Sequence, residues 1–181
     1  MDHADHVSLL RKGIPNAGDG SPAPTWADFG AGWGAFTLAL ADLLGPGATV
    51  HAIDRDHRAL ARLENALTAR FPETVLYLHA ADFTRPLNLP PLDGLVMANA
   101  LHFIPYAEQA AVVRRLRDTL KPGAPFLLVE YDTTRAVPWV PYPLAYPAWT
   151  ALAARCGCTH TEQIHLRASR NMGSIYAARS L

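Results

Sequence analysis

The 181-residue chain carries 16 Lys+Arg against 16 Asp+Glu, so no overall positive field draws it to nucleic acid or to an anionic membrane. Half of its residues are apolar and 18% charged, which suits one folded domain with a sizeable core and excludes a disordered chain. Met1-Asp-His-Ala-Asp-His6 lacks the basic start and apolar stretch of a secretory leader, and no run reaches bilayer length, so a cytoplasmic protein off the membrane is expected.

Ala4 to Lys12 can form a short helix burying Val7, Leu9 and Leu10, and the glycines and prolines of Gly13 to Pro24 mark a loop. Residues 1–24 are therefore read as a helix and flap within a single domain spanning 1–181. His3 and His6 would meet a ligand only if that flap folded over the glycine-rich turn near Gly30, and they are read as surface.

Trp26-Ala-Asp-Phe-Gly-Ala-Gly-Trp-Gly34 reads as a strand turning through glycines into a helix that buries Phe36, Leu40, Leu43 and Leu44. Gly30 and Gly32 let backbone pass close to a ligand, and Gly34 lets the following helix pack near the strand. Asp28, two residues before Gly30, can face a bound amine or hold the turn by accepting its N–H groups. A pyrophosphate would be repelled there, which favours a nucleoside bearing a cation.

Gly45-Pro-Gly47 breaks the chain, and Thr49 to Asp54 reads as a second strand. Asp54 is placed to accept both hydroxyls of a ribose, while Asp56 suits the cap of a helix over His57 to Arg70 that buries Leu60, Leu63 and Leu67. Thr74 to Ala80 gives a third strand, at whose end Asp82 could accept an adenine amino group beside Phe83. After a proline-rich loop, Asp93 to Asn99 supplies a fourth strand, and a helix from near Tyr106 buries Val113, Leu116 and Leu120. Lys121-Pro-Gly123 stops it, and Pro125 to Tyr131 is a fifth strand. Strands alternating with helices imply an α/β, doubly wound, mostly parallel sheet with helices on both faces. Asp28, Gly30, Asp54, Asp82 and Asn99 then share the edge made by the strands' carboxyl ends.

Asp28-Phe-Gly-Ala-Gly-Trp-Gly34, Asp54, Asp82-Phe83 and Leu120-Lys-Pro-Gly123 together resemble a class I S-adenosylmethionine-dependent methyltransferase over about Trp26 to Tyr131. The resemblance implies S-adenosylmethionine as cofactor. It places Gly30, Ala31 and Gly32 on its methionine side, Asp54 and Arg55 at the ribose, Asp82 and Phe83 at the adenine, and Asn99 by the methionyl group, with Asp28 and Phe29 counted among the cofactor-binding residues. It further implies a seven-stranded sheet closed by an antiparallel hairpin, for which Thr161 to Arg167 and Met172 to Arg179 are available.

A base is needed only for acceptors that arrive protonated. His102 is the first candidate, Tyr131 the second and Glu130 the third, with a packed histidine as the structural alternative. Among residues 133–150, Trp139, Tyr142, Tyr146 and Trp149 stand among prolines. Trp139 and Tyr142 can wall a pocket for an apolar or cationic substrate, whereas Trp149, Leu152 and Cys156 are spaced as a buried helix stripe. Cys156 and Cys158, one residue apart, are read as reduced structural thiols. The clustered acids of a catechol-type magnesium site are missing, so no metal is expected. A small-molecule acceptor and a monomer or homodimer are the default. Gly30-x-Gly32-x-x-Ala35 also meets the looser dinucleotide pattern, so an NAD(P)-dependent reductase is one alternative, although no Tyr-x-x-x-Lys pair accompanies it. A non-catalytic S-adenosylmethionine-binding scaffold is the other.

Overall fold

The computed structural model describes residues 1–14, 23–169 and 172–181. Most of the flap expected before Pro24 therefore lies outside the described residues. Seven strands form one sheet in the order β3-β2-β1-β4-β5-β7-β6: β1 (Thr25–Phe29), β2 (Thr49–Asp54), β3 (Val75–Ala80), β4 (Gly94–Ala98), β5 (Phe126–Tyr131), β6 (Thr161–Ser169) and β7 (Gly173–Ser180). The first five are parallel, while β7 inserts antiparallel between β5 and β6. This is the expected doubly wound sheet with its terminal hairpin.

Alternation along the strands divides the core between two faces. Phe126 and Leu128 join Phe29, Ile53, Met97 and Trp149 on the face covered by α4 (Tyr106–Arg117) and α5 (Tyr146–Arg155). Leu127 and Val129 join Trp26, Val50 and Leu40 on the face covered by α1 (His3–Leu10) and α2 (Ala35–Leu44). Helix α3 (His57–Arg70) begins on Asp56, whose carboxylate accepts from the N–H groups of Arg58 and Ala59, and buries Leu60, Leu63 and Leu67. An acceptor at this position satisfies donors the first turn leaves orphaned.

Several side chains depart from the sequence reading. Leu43 is only partly buried, because the apolar stripe of α2 is centred on Phe36, Leu40 and Leu44. Leu120 falls after α4 has ended, where it bridges Leu92 beside the sheet. The proline and aromatic loop ends at Ala145, since α5 takes Tyr146 and Trp149, and Trp149 is fully buried. His3 lies 2.8 Å from Asp42 on α2 and His6 packs its ring edge-on to Phe36, so both serve the contact between α1 and α2. Cys156 and Cys158 are free and buried, in agreement with their reading as reduced structural thiols.

Candidate functional site

The glycine turn after β1 is stapled to the neighbouring strand: the N–H groups of Gly30 and Ala31 both donate to the Ile53 carbonyl, at 2.8 and 3.0 Å. All three of its glycines take a positive φ, and they differ in what stands beside them. A Cβ on Gly30 would lie 2.5 Å from the Ala100 Cβ, so the loop after β4 sets that requirement. A Cβ on Gly34 would lie 2.3 Å from Leu63 Cδ1, so the close neighbour is α3 rather than the strand of the sequence reading. Gly32 has φ +52 and nothing within 4 Å of its Cβ position, so this part of the turn faces open space. Phe29 is fully buried in the core and Ala31 sits in the cluster of Leu60, Leu63 and Leu67, so these two form the turn's floor.

Asp28 does not accept the turn's N–H groups. Its Oδ2 takes the Thr37 hydroxyl at 2.6 Å, tying β1 to α2, and Oδ1 is buried with no partner. Burial, with the Asp54 charge adding to it, pushes the Asp28 carboxyl up to about 7. A buried carboxylate with an open acceptor position suits a cationic neighbour.

Asp54 takes over the turn: its Oδ2 accepts from the Gly32 N–H at 2.8 Å and its Oδ1 from the Asp56 N–H at 2.9 Å. Each oxygen keeps a second lone pair, so the carboxylate can still accept two hydroxyls. Asp82 accepts from both the Thr84 hydroxyl, at 2.7 Å, and the Thr84 N–H. These bonds hold its carboxyl below the usual range, with smaller help from Arg85 and Arg55. Phe83 is half-buried, 3.6 Å from where a Gly30 Cβ would stand. Arg55 and Asp82 are exposed and Asp54 half-buried, so the rim is a shelf open to solvent. A cleft lined by Arg117, Lys121 and Cys158 lies at the opposite edge of the sheet, away from these groups.

Asn99 follows β4 at φ 50, a left-handed conformation uncommon outside glycine, and its Oδ1 is buried without a partner. Three residues on, His102 Nδ1 lies 2.5 Å from Glu130 Oε2, and Glu130 Oε1 accepts the His102 backbone N–H at 3.2 Å. Both side chains are almost completely buried. A carboxylate on Nδ1 selects the tautomer that leaves the Nε2 lone pair free. No hydrogen-bond partner of Nε2 is found among the described residues. Tyr131 lies 6.2 Å from the His102 ring, and burial, then the neighbouring Glu130, push its hydroxyl above the usual range.

The proline and aromatic loop docks on this corner through the Tyr142 N–H, which donates to the His102 carbonyl at 3.0 Å. Tyr142 also meets Tyr106 edge-on, with ring centroids 5.5 Å apart, while Trp139 stands 56% exposed on the same loop. Phe103 and Tyr106, which sequence reasoning did not single out, are also exposed. Their one sequence signal was proximity to His102.

Residues 27–126, more than half of the chain, match the family model described as a methyltransferase domain. A carboxy-S-adenosyl-L-methionine synthase of Chromohalobacter salexigens is 33% identical over 104 residues, which are 57% of this chain and 38% of that protein. The match thus spans well under half of that relative. Among solved structures, an S-adenosylmethionine-dependent methyltransferase of Leishmania major has a TM-score of 0.76 at 15% identity, over 98% of this chain and 72% of that one. For the glycopeptide N-methyltransferase MtfA the TM-score is 0.70 at 14% identity, over 99% and 89%. At such identities the structural likeness speaks to the fold, while the family match covers the strands that carry Asp28, Asp54, Asp82 and Asn99. The chain belongs to the class I S-adenosylmethionine-dependent methyltransferases.

Proposed function

We propose that this chain transfers a methyl group from S-adenosylmethionine to a small-molecule acceptor that arrives carrying a proton. The residues at the rim fit a cationic nucleoside. Gly32 leaves open space where a side chain would intrude, and Asp28 and Asn99 each hold a buried oxygen without a partner. In this reading Asp54 and Arg55 hold the ribose, and Asp82 and Phe83 the adenine. Gly30, Ala31, Gly32 and Asn99 pass the methionine part, with Asp28 answering its charge from beneath. Bound there, S-adenosylmethionine supplies an electrophilic methyl on a sulfonium.

The observation that carries acceptor chemistry is the buried pair of His102 and Glu130 at the end of β4 and β5. Glu130 holds the proton of Nδ1, which leaves Nε2 to take a proton from the acceptor. Tyr131 is the second candidate for that role. Trp139 and Tyr142 wall the acceptor side and exclude water.

Incubation with methyl-labelled donor and a metabolite extract tests the proposal. Label should pass to a low-mass product, and the rate should drop at least tenfold in His102→Ala. Tight donor binding with no labelled product would instead favour a scaffold that binds without catalysing.

A further inference from the structure

The surface around His102 is aromatic, and the structure shows how that surface is held. Phe103 packs its ring 4.4 Å from His102 yet stays 52% exposed. Tyr106 is 57% exposed, with its hydroxyl donating to the Pro143 carbonyl at 3.0 Å and its ring edge against Tyr142. The Tyr142 backbone closes the circuit by donating to the His102 carbonyl. Large apolar side chains are normally turned inward, and here two of them are fixed facing solvent beside the one buried imidazole and carboxylate pair of the described residues. No Asp, Glu, Lys or Arg interrupts Leu101 to Tyr106, so an acceptor lying there meets ring faces and edges.

Resting on the methyl-transfer reading, we propose that the acceptor is a flat aromatic hydroxyl compound, and that Phe103 and Tyr106 set this specificity. A phenolic hydroxyl titrates near 10, so at neutral pH it arrives protonated and needs the base that His102 offers. Offset or edge-on ring contacts with Phe103, Tyr106 and Tyr142 orient the plane, and the hydroxyl turns toward His102. In the transfer the acceptor's O–H bond breaks and its proton goes to His102 Nε2. A C–O bond forms as the C–S bond to the methyl breaks, and that electron pair stays on the sulfur, which leaves as a thioether. An aliphatic alcohol would lose the ring contacts and is a far weaker acid than a phenol.

The test uses the full chain saturated with S-adenosylhomocysteine, titrated with 2-naphthol and with its fully saturated analogue, decahydro-2-naphthol. The expected result is 2-naphthol binding at least about tenfold tighter, with Phe103→Ala and Tyr106→Ala each weakening it about fivefold and Phe103→Tyr restoring it. S-adenosylhomocysteine affinity, measured first on each variant, serves as the check of folding. Equal binding of the two probes, or no loss in both alanine variants, overturns the aromatic acceptor while leaving cofactor binding intact. Failure of wild-type chain to bind S-adenosylhomocysteine overturns the underlying reading, and this proposal with it.

Discussion

Glu130 Oε2 and His102 Nδ1 are 2.5 Å apart across 28 residues of sequence, and nearly all of both side chains is shut off from solvent. Two elements bring them together. The turn after β4 presents the imidazole and the last residues of β5 present the carboxylate, while Glu130 also anchors the turn through the His102 backbone N–H.

Replacing Glu130 by Gln should therefore remove the charge while keeping the size of the side chain. The amide keeps one acceptor, which can still take the His102 backbone N–H and hold the turn, but Nδ1 then faces an N–H donor and an imidazolium formed during proton transfer would lose its counter-charge. A fall in kcat of about 10² to 10³ is expected, with little change in donor affinity. Glu130→Ala should in addition cost about 1 to 3 kcal/mol of stability, read by denaturant unfolding, because it orphans buried donors. An unaltered kcat in Glu130→Gln would remove the pair from the chemistry.

Asp28 predicts an unusual pH dependence in the donor-free protein. Its carboxyl is pushed up to about 7 by burial, so between its unfolded value of 3.8 and about 7 the native state binds a proton that the unfolded chain has lost. Its contribution to stability is thus greatest at low pH and falls as pH rises through that window, by a few kcal/mol in all. His6, His51 and His79 act in the opposite sense, since burial lowers them and favours their neutral forms. The test is Asp28→Asn, which keeps an acceptor for Thr37. Unfolding at pH 5 and pH 8 should show the variant gaining on wild type at pH 8, and an equal difference at both pH values would refute the shift.

The glycines should separate by cause. Gly30→Ala meets Ala100 at 2.5 Å and Gly34→Ala meets Leu63 at 2.3 Å, so each should destabilise the fold by about 2 to 4 kcal/mol. Gly32→Ala meets nothing and should cost only about 1 to 2 kcal/mol for its positive φ. Its larger loss should appear in affinity for S-adenosylhomocysteine, because the new methyl enters the space kept for the ligand. Thermal unfolding and calorimetry on the same three variants distinguish these effects.

Local chemistry explains why the helix over His57 to Arg70 was legible in the sequence: a capping Asp56 and leucines at 60, 63 and 67 specify it without outside help. The seven-stranded sheet with its closing antiparallel hairpin was legible by resemblance, and the shared edge of Asp28, Asp54, Asp82 and Asn99 followed from parallel connections. Long-range partners were not legible. Gly30 is required by Ala100, seventy positions later, and no pattern near Gly30 records it. Of the two readings of Asp28, the clamp on the glycine turn falls to Asp54, because register places its carboxylate beside Gly32 while Thr37 claims Asp28. The pairing of Glu130 with His102 depended likewise on β4 and β5 lying side by side. Helical spacing was enough to tell the aromatics apart: Trp149, in register with Leu152 and Cys156, is core, while Trp139 on the loop stands in solvent.

Whether the carboxyl ends of the parallel strands grasp a sulfonium nucleoside is read straight from calorimetric titration with S-adenosylhomocysteine. Saturable binding near one per chain is expected, weakened by about 1 to 3 kcal/mol in Asp54→Ala, with no comparable binding of NADH. Tight NADH binding with none for the thioether, or an affinity indifferent to Asp54, would contradict that assignment.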